Sequence, residues 1–331
     1  MRNKALDQLR LIAAFLVVVI HAPLPGSVGA VIEAMTRIAV PVFFMISGYY
    51  ALGKSKEQLL KSVKKTAFLL LWSVVLYFIW ELLWSFYHKN TYEMLCGIFS
   101  LKTLLETVLL NNGSLLGHLW FLLALLCCYL LYAFALQKLT LGKRFCLALS
   151  LLIGCFVIRE ILKANGISDP FYYLRNFLFI GVPFFLLGGI VNQKKAGLLS
   201  VKAGVWIIAA IAGMLAAIAE RLLIGACDLY FGTVIASVAL FVLMQNPTVP
   251  VCAVLARMGS KHAGNIYIFH VMVIGVFNMA ASVAGVLYNN MFLIIRPMLV
   301  LAACIIVSLC KNMLRKKRNA SMAACITTGE S

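Results

Sequence analysis

Long apolar stretches constrain this chain more than any other feature of its sequence. A helix needs about 20 mostly apolar residues to cross the hydrocarbon core of a bilayer. Ten stretches approach or exceed that length, at residues 8–24, 36–52, 66–87, 117–137, 145–162, 176–192, 203–223, 230–245, 264–286 and 291–311. Because lipid cannot satisfy backbone hydrogen bonds, such stretches form helices. The sequence therefore predicts an all-α, polytopic membrane helix bundle of about ten transmembrane helices.

Composition supports this prediction and excludes other classes. The chain is 63% apolar and only 12% charged, whereas soluble domains are nearer half apolar and a quarter charged. Its formal net charge of +18 would suggest nucleic acid as the partner of a soluble protein. In a membrane protein the same excess is typical of cytoplasmic loops beside anionic lipid. We therefore expect the lipid bilayer, and no nucleic acid, as a partner.

The basic residues also predict orientation. With the N-terminus inside, most of the 29 Lys and Arg residues fall in cytoplasmic loops. We expect a multi-pass protein of the cell (plasma) membrane with both termini in the cytoplasm. Residues 1–312 form one ten-helix domain and 313–331 a short basic cytoplasmic tail. The amphipathic segment 93–110 is expected on the surface rather than across the bilayer.

The first apolar stretch carries three charged or titratable residues, Asp7, Arg10 and His21. Such residues are costly inside a membrane and are functional candidates by default. Eleven residues make about three turns plus 20°, so Arg10 and His21 share a helix face, about 16 Å apart along the axis. This arrangement favours a cavity-lining stripe. The alternatives are that Arg10 snorkels to the lipid headgroups beside Asp7 and that His21 lies at the interface.

Four segments together resemble acyltransferase family 3, the integral-membrane O-acyltransferases. The opening LDQLRLIAAFLVVVIHAP contains the family's Arg-x10-His at Arg10 and His21. The segments VPVFFMISGYY (40–50), GHLWFL (117–122) and IYIFH (266–270) are similar to its later motifs. The opening is also similar to the membrane half of the membrane-bound serine racemases of glycopeptide resistance.

The resemblance implies transfer of an acyl group, often acetyl, from cytoplasmic acyl-CoA to a hydroxyl of a cell-envelope glycan or glycolipid. The acyl-CoA is a co-substrate, and no tightly bound cofactor or metal is expected; the ten cysteines have no metal-site spacing. His21 would be the catalytic base or a transient acyl-histidine nucleophile. Five residues would bind the acyl-CoA, namely Arg10, Asp7, Lys61, Lys64 and Lys65. At Lys61-x-x-Lys64 the family often has Arg-x-x-Arg, so the planar, bidentate phosphate donors are replaced by point charges.

Five further residues are expected to line the acceptor site or the cavity, namely His118, Trp120, Ser47, Glu81 and His270. Each also has a structural interpretation: an interfacial anchor for Trp120, close helix packing at Ser47-Gly48, and buried paired groups for Glu81 and His270. Glu81 is expected toward the outer end of the third span, and His270 on the cytoplasmic half of the ninth.

Two other functions remain open on the sequence. Intramembrane charges and spans broken by Gly or Pro also fit a transporter for a small amino acid such as serine. A non-catalytic membrane scaffold would leave the polar stripe of the first helix without a purpose.

Overall fold

The computed structural model describes residues 3–113 and 117–328, with side chains described to residue 314. Fifteen α-helices and no strand occur in these ranges. The helices are α1 (Lys4–His21), α2 (Gly26–Thr36), α3 (Ala39–Ala51), α4 (Lys56–His88), α5 (Thr91–Ile98), α6 (Leu101–Leu110), α7 (Trp120–Phe134), α8 (Leu141–Ala164), α9 (Phe171–Leu174), α10 (Val182–Gln193), α11 (Lys195–Ser200), α12 (Ala203–Ile224), α13 (Phe231–Leu243), α14 (Ala253–Val283) and α15 (Asn290–Thr328).

All ten predicted spans coincide with helical segments. In the described part of the chain, seven are long and apolar enough to cross a membrane: Gly26–Ala51, Lys56–His88, Gly117–Phe134, Leu141–Ala164, Ala203–Ile224, Ala253–Val283 and Asn290–Leu314. Helix α1 has 18 residues but carries three charged side chains, and Phe177–Gln193 and Phe231–Leu243 are shorter apolar helices. The all-α helix bundle is confirmed, while its orientation in the membrane stays a prediction.

Several helix ends differ from the apolar limits because polar residues also continue a helix. Helix α4 begins ten residues before its apolar part, at a capping box in which Ser55 and Gln58 satisfy each other's backbone amides. Helix α14 begins at Ala253, before the apolar stretch that starts at 264. Residues 26–36 form α2, of which all but the last residue lie outside the predicted spans. The amphipathic segment 93–110 forms the largely exposed helices α5 and α6.

Helices α1 and α14 pack closely and run parallel. The α-carbon of Gly259 lies against α1, where a Cβ would come within 1.9 Å of the Asp7 carbonyl oxygen. Eleven residues further along α14, His270 lies beside His21 of α1. A similar close approach joins α3 to α10, where a Cβ on Gly48 would come within 1.8 Å of the Phe185 carbonyl oxygen. Small residues at such contacts let membrane helices approach backbone to backbone.

Helix α4 contacts the middle of α14 through one side chain. The Tyr77 hydroxyl donates to the Ile268 carbonyl oxygen at 2.7 Å and accepts from the Met272 amide at 3.3 Å. In a regular α-helix these two backbone groups would pair with each other. The hydroxyl of α4 therefore bridges one turn of α14 two residues from His270, which fixes both helices at the level of the histidines.

Candidate functional site

A cavity of about 360 Å³ opens between α1, α3, α4, α7 and α14. Loops before α10 and α13 complete its wall. This volume lies in the range of small-molecule sites. The wall combines apolar and aromatic side chains with a few charged and titratable groups, which is the composition expected of a binding cavity rather than of a packing defect.

Three of the five histidines meet at this cavity. The ring centroids of His21 and His270 are 4.9 Å apart, those of His118 and His270 are 5.2 Å apart, and those of His21 and His118 are 6.1 Å apart. The three residues come from α1, from the 3₁₀ turn Gly117–Leu119 before α7, and from α14. The fold therefore gathers three imidazoles from distant parts of the sequence.

The three imidazoles differ in how they face the cavity. His21 is exposed and lines the cavity, whereas His270 is fully buried behind it. His270 Nδ1 lies 2.7 Å from the Tyr267 carbonyl oxygen, which can only accept, so Nδ1 carries the hydrogen and Nε2 has the lone pair. The Nε2 atoms of His118 and His270 are buried without a hydrogen-bond partner in the described part of the chain. This arrangement leaves proton-accepting capacity at the histidine cluster.

Two tyrosines hold the histidine cluster in place. The Tyr77 ring packs edge-on against His118, with centroids 4.4 Å apart. The Tyr267 hydroxyl donates a short hydrogen bond to the backbone carbonyl of His118. Both tyrosines line the cavity, and neither was singled out from the sequence. The Tyr267 position was within the IYIFH segment, but nothing in that segment indicates that its hydroxyl joins α14 to the start of α7.

Arg10 and Asp7 lie at the other end of α1. Their side chains form an ion pair at 3.2 Å, with Asp7 almost fully buried and Arg10 one quarter exposed. Neither residue lines the cavity around His21. The structure therefore brings Arg10 and Asp7 together and keeps them about 16 Å and about 21 Å, respectively, along the helix from His21.

The three candidate lysines Lys61, Lys64 and Lys65 lie on the first turns of α4, and all are exposed. Helix α4 packs mainly against α7 rather than against α1. Their helix thus does not place these lysines directly against Arg10.

Of four remaining candidates, three line the cavity and one does not. Trp120 and Glu81 line the cavity together with His118. Ser47 does not line it, because its hydroxyl donates to the Phe43 carbonyl oxygen of its own helix at 2.9 Å. The close helix approach expected beside it is present at Gly48.

The position expected for His270 is wrong. An apolar stretch that starts at 264 places His270 near the start of its span, in the opposite half from His21. Helix α14 instead begins at Ala253, so His270 lies well inside it and at the level of His21. Because the first turns of α14 are polar, hydropathy does not show where the helix begins or at which level His270 lies.

A charged network in the cavity wall was also missed. Arg37, at the turn between α2 and α3, donates to Asp228 at 2.7 Å and forms a short ion pair with Glu33. Arg221 pairs with Glu33 at 2.7 Å, and Arg175 lies 3.5 Å from Asp228. Arg37 and Asp228 are 191 residues apart in sequence. The available signal was that arginines, rather than lysines, occupy several of the few basic positions on the predicted outer side.

Comparison with known proteins gives a family match and distant relatives. Residues 3–311 match acyltransferase family 3, whose description is "Acyltransferase domain". A serine/alanine racemase from Enterococcus gallinarum is 32% identical over 219 residues, which are 59% of this chain and 30% of that protein. An amino-acid racemase from Enterococcus faecalis is 30% identical over 211 residues, 57% of this chain and 28% of that protein. The chain thus matches less than a third of each racemase, and no solved structure is significantly similar to it.

No group of three or more His, Cys, Asp or Glu side chains among the described residues is arranged to hold a metal ion.

Proposed function

Because the chain belongs to acyltransferase family 3, we propose that it is a membrane O-acyltransferase that moves an acyl group from acyl-CoA to the hydroxyl of a cell-envelope glycan or glycolipid. Acetyl is the acyl group we propose, with acetyl-CoA as co-substrate. The observation that carries the proposal is the cluster of His21, His118 and His270 at a cavity into which His21 is exposed.

The chemistry proposed at His21 is general base catalysis. An acceptor hydroxyl in the cavity gives its proton to the imidazole while its oxygen attacks the thioester carbonyl carbon. The new C–O bond forms, the C–S bond breaks, and the imidazolium returns the proton to the leaving thiolate of CoA. The buried His270 positions His21 from behind, because its own ring is held by the Tyr267 carbonyl. The alternative is that His21 itself carries the acyl group before the hydroxyl attacks.

The donor is proposed to enter from the end of α1 that carries Arg10. A guanidinium binds phosphate through charge-assisted hydrogen bonds, and Asp7 orients that guanidinium through the 3.2 Å ion pair. The exposed Lys61, Lys64 and Lys65 would add positive charge for the CoA phosphates from α4. The acyl end would then extend along α1 toward His21, over a distance comparable to a pantetheine arm.

The first test compares acetyl-CoA binding and CoA release by the full chain in detergent, supplied with envelope lipid and glycan extract. We expect His21→Ala to bind acetyl-CoA as the wild type does and to release no CoA in the presence of acceptor. His88→Ala is the matched control, since His88 is an exposed histidine at the end of α4, outside the cavity. Wild-type protein that is folded but does not bind acetyl-CoA would contradict the proposal.

Quenched samples separate the two roles of His21. A base needs acceptor for every turnover, so no labelled acyl-protein accumulates from [¹⁴C]acetyl-CoA alone. An acyl-histidine would accumulate without acceptor and be released by hydroxylamine.

The second candidate is a transporter for a small amino acid such as serine, an amino acid in the name of one racemase relative. Its test is uptake of labelled serine into proteoliposomes that contain the purified chain. Serine flux that requires no CoA, in protein that binds no acetyl-CoA, would replace acyl transfer by transport.

A further inference from the structure

The charged network in the cavity wall contains more positive than negative side chains. It comprises Arg37, Arg175 and Arg221 against Glu33 and Asp228. Both acids are shared: Glu33 contacts two arginines, and Asp228 contacts two. Three cations balanced by two anions leave one positive charge in the network.

Arg175 supplies this surplus. Arg37, Glu33, Arg221 and Asp228 pair at 2.7 Å or less, with side chains that are at most 23% exposed. Arg175 is the outer member, at 3.5 Å from Asp228 and with 36% of its side chain exposed. The other four side chains are held in close ion pairs and are largely buried. Arg175 is therefore the arginine of this network whose side chain is exposed enough to contact a ligand.

Arg37 places a second guanidinium at the same wall. Its two terminal nitrogens bind Asp228 and Glu33, and its Nε is buried without a partner in the described residues. Nε is closed to solvent, so Arg37 contributes positive charge to this wall rather than a direct contact with a ligand. Arg37, Arg175 and Asp228 all line the cavity that His21 lines.

The other acid of the cavity stands apart from this network. Glu81 lies on α4, one turn from Tyr77, and in the described part of the chain it forms no ion pair with these arginines. The cavity is therefore asymmetric, with a cationic wall formed by loops and α3 and a histidine and tyrosine wall formed by α1, α4, α7 and α14.

We propose that the acceptor is an anion, whose carboxylate or phosphate group is held by Arg175, beside the guanidinium of Arg37, while its hydroxyl lies at His21. Guanidinium groups match the oxygens of both anions in geometry and charge. The inference rests on the acyltransferase function proposed above and narrows its acceptor from any hydroxyl compound to hydroxyl compounds with a negative group in reach.

The test uses three hexoses of one size as probes: glucuronate, glucose 1-phosphate and neutral glucose. Each is added to the full chain in detergent, and the melting temperature is followed. We expect at least one anionic hexose to raise Tm by about 2–4 °C near ten times its Kd, and glucose to leave it unchanged. Whichever anion stabilises the protein identifies a carboxylate or a phosphate acceptor.

Two variants make the test specific. Arg175→Gln should lose the shift and Arg175→Lys should keep part of it. Arg144→Gln should retain it, because Arg144 binds the backbone carbonyls of Leu136 and Gln137 outside the cavity. An equal shift with glucose, or an undiminished anion shift in Arg175→Gln, would overturn the proposal.

Acetyl-CoA binding, measured on the same samples, separates this inference from the proposed function. Arg175→Gln that binds acetyl-CoA normally but responds to no anion supports the acceptor site and shows that the variant is folded. Wild type that responds to the anions but binds no acetyl-CoA would contradict acyl transfer and leave the anion site supported.

Discussion

Backbone carbonyl groups hold the buried imidazole of His270 in one tautomer. Its Nδ1 lies 2.7 Å from the Tyr267 oxygen and 3.2 Å from the Ile266 oxygen, both one turn earlier in α14. Because both oxygens only accept, the ring is held as the Nδ1–H tautomer with the lone pair on Nε2. That ring packs against His21 and His118.

Replacing His270 should therefore impair turnover without impairing the donor site. We expect His270→Ala to lower kcat for CoA release by up to about 10²-fold, the cost of displacing a catalytic group such as His21 by about 1 Å. The acetyl-CoA Kd should stay within twofold, because Arg10 lies at the other end of α1. A changed pH profile of kcat would show that the lost ring acted through His21. Unchanged kcat and an unchanged pH profile would contradict the role.

Arg10 leads to a second prediction at this scale. If its guanidinium binds the phosphates of CoA, Arg10→Ala should raise the Kd of acetyl-CoA about tenfold or more. The weak binding of S-acetylpantetheine, which lacks those phosphates, should not change. Lys143→Ala is the control, since Lys143 is an exposed lysine at the start of α8. An equal loss for both ligands would instead indicate that Arg10 supports only the fold.

At the scale of helices, the packing of α1 on α14 sets the register of the histidines. The contact at Gly259 leaves no room for a side chain, since a Cβ there would be 1.9 Å from the Asp7 carbonyl oxygen. Backbone cannot move aside as a flexible side chain can. The glycine therefore fixes how far α14 lies from α1, and through α1 the position of His21 beside His270.

Gly259→Ala should separate these helices and destabilise the protein by about 1–3 kcal/mol, the usual cost of overpacking. Gly264→Ala, on the same helix, is the matched control because a Cβ there meets nothing within 4 Å. It should be neutral or stabilise by up to about 1 kcal/mol through helix propensity. Melting temperatures in detergent measure the difference, and kcat should fall more in Gly259→Ala. Equal melting temperatures would contradict the close contact.

The sequence predicted the helices better than it predicted the contacts between them. Apolar length located ten helical segments, because a long apolar stretch in a membrane protein forms a helix. In the described part of the chain, seven helices are long and apolar enough to cross a membrane. Apolar length missed α2 and the early start of α14, since hydropathy reports the apolar part of a helix and not its polar turns. Helical spacing also predicted that His21 faces a cavity, and His21 lines the cavity in the structure. The sequence did not predict Arg37, Asp228 and Tyr77 as site residues, because their hydrogen-bond partners are about 190 residues away in the chain.

For the whole molecule, the two ends of the bundle carry different chemistry. One end holds Arg10 with Asp7, and the loop before α14 joins it through Cys252, whose amide donates to Gln8 Oε1 at 2.7 Å. The other end holds His21 and the cationic wall. Helix α4 passes the level of the histidines at Tyr77 and continues to His88, so α5, with Cys96, follows on that second side. An anionic acceptor and a CoA donor would thus approach from opposite ends.

The orientation of these two ends across the membrane can be measured by cysteine accessibility in intact cells. With the termini inside, as the basic loops predict, a membrane-impermeant maleimide should label the exposed Cys96 and spare the exposed Cys252 until the cells are permeabilised. Variants that each keep one cysteine separate the signals. Cys227 is the internal control, because burial raises the pKa of its thiol and it should stay unlabelled on either side. Labelling of Cys252 but not Cys96 would show that the chain has the opposite orientation. The cationic wall would then lie on the cytoplasmic side, where an envelope acceptor could not reach it.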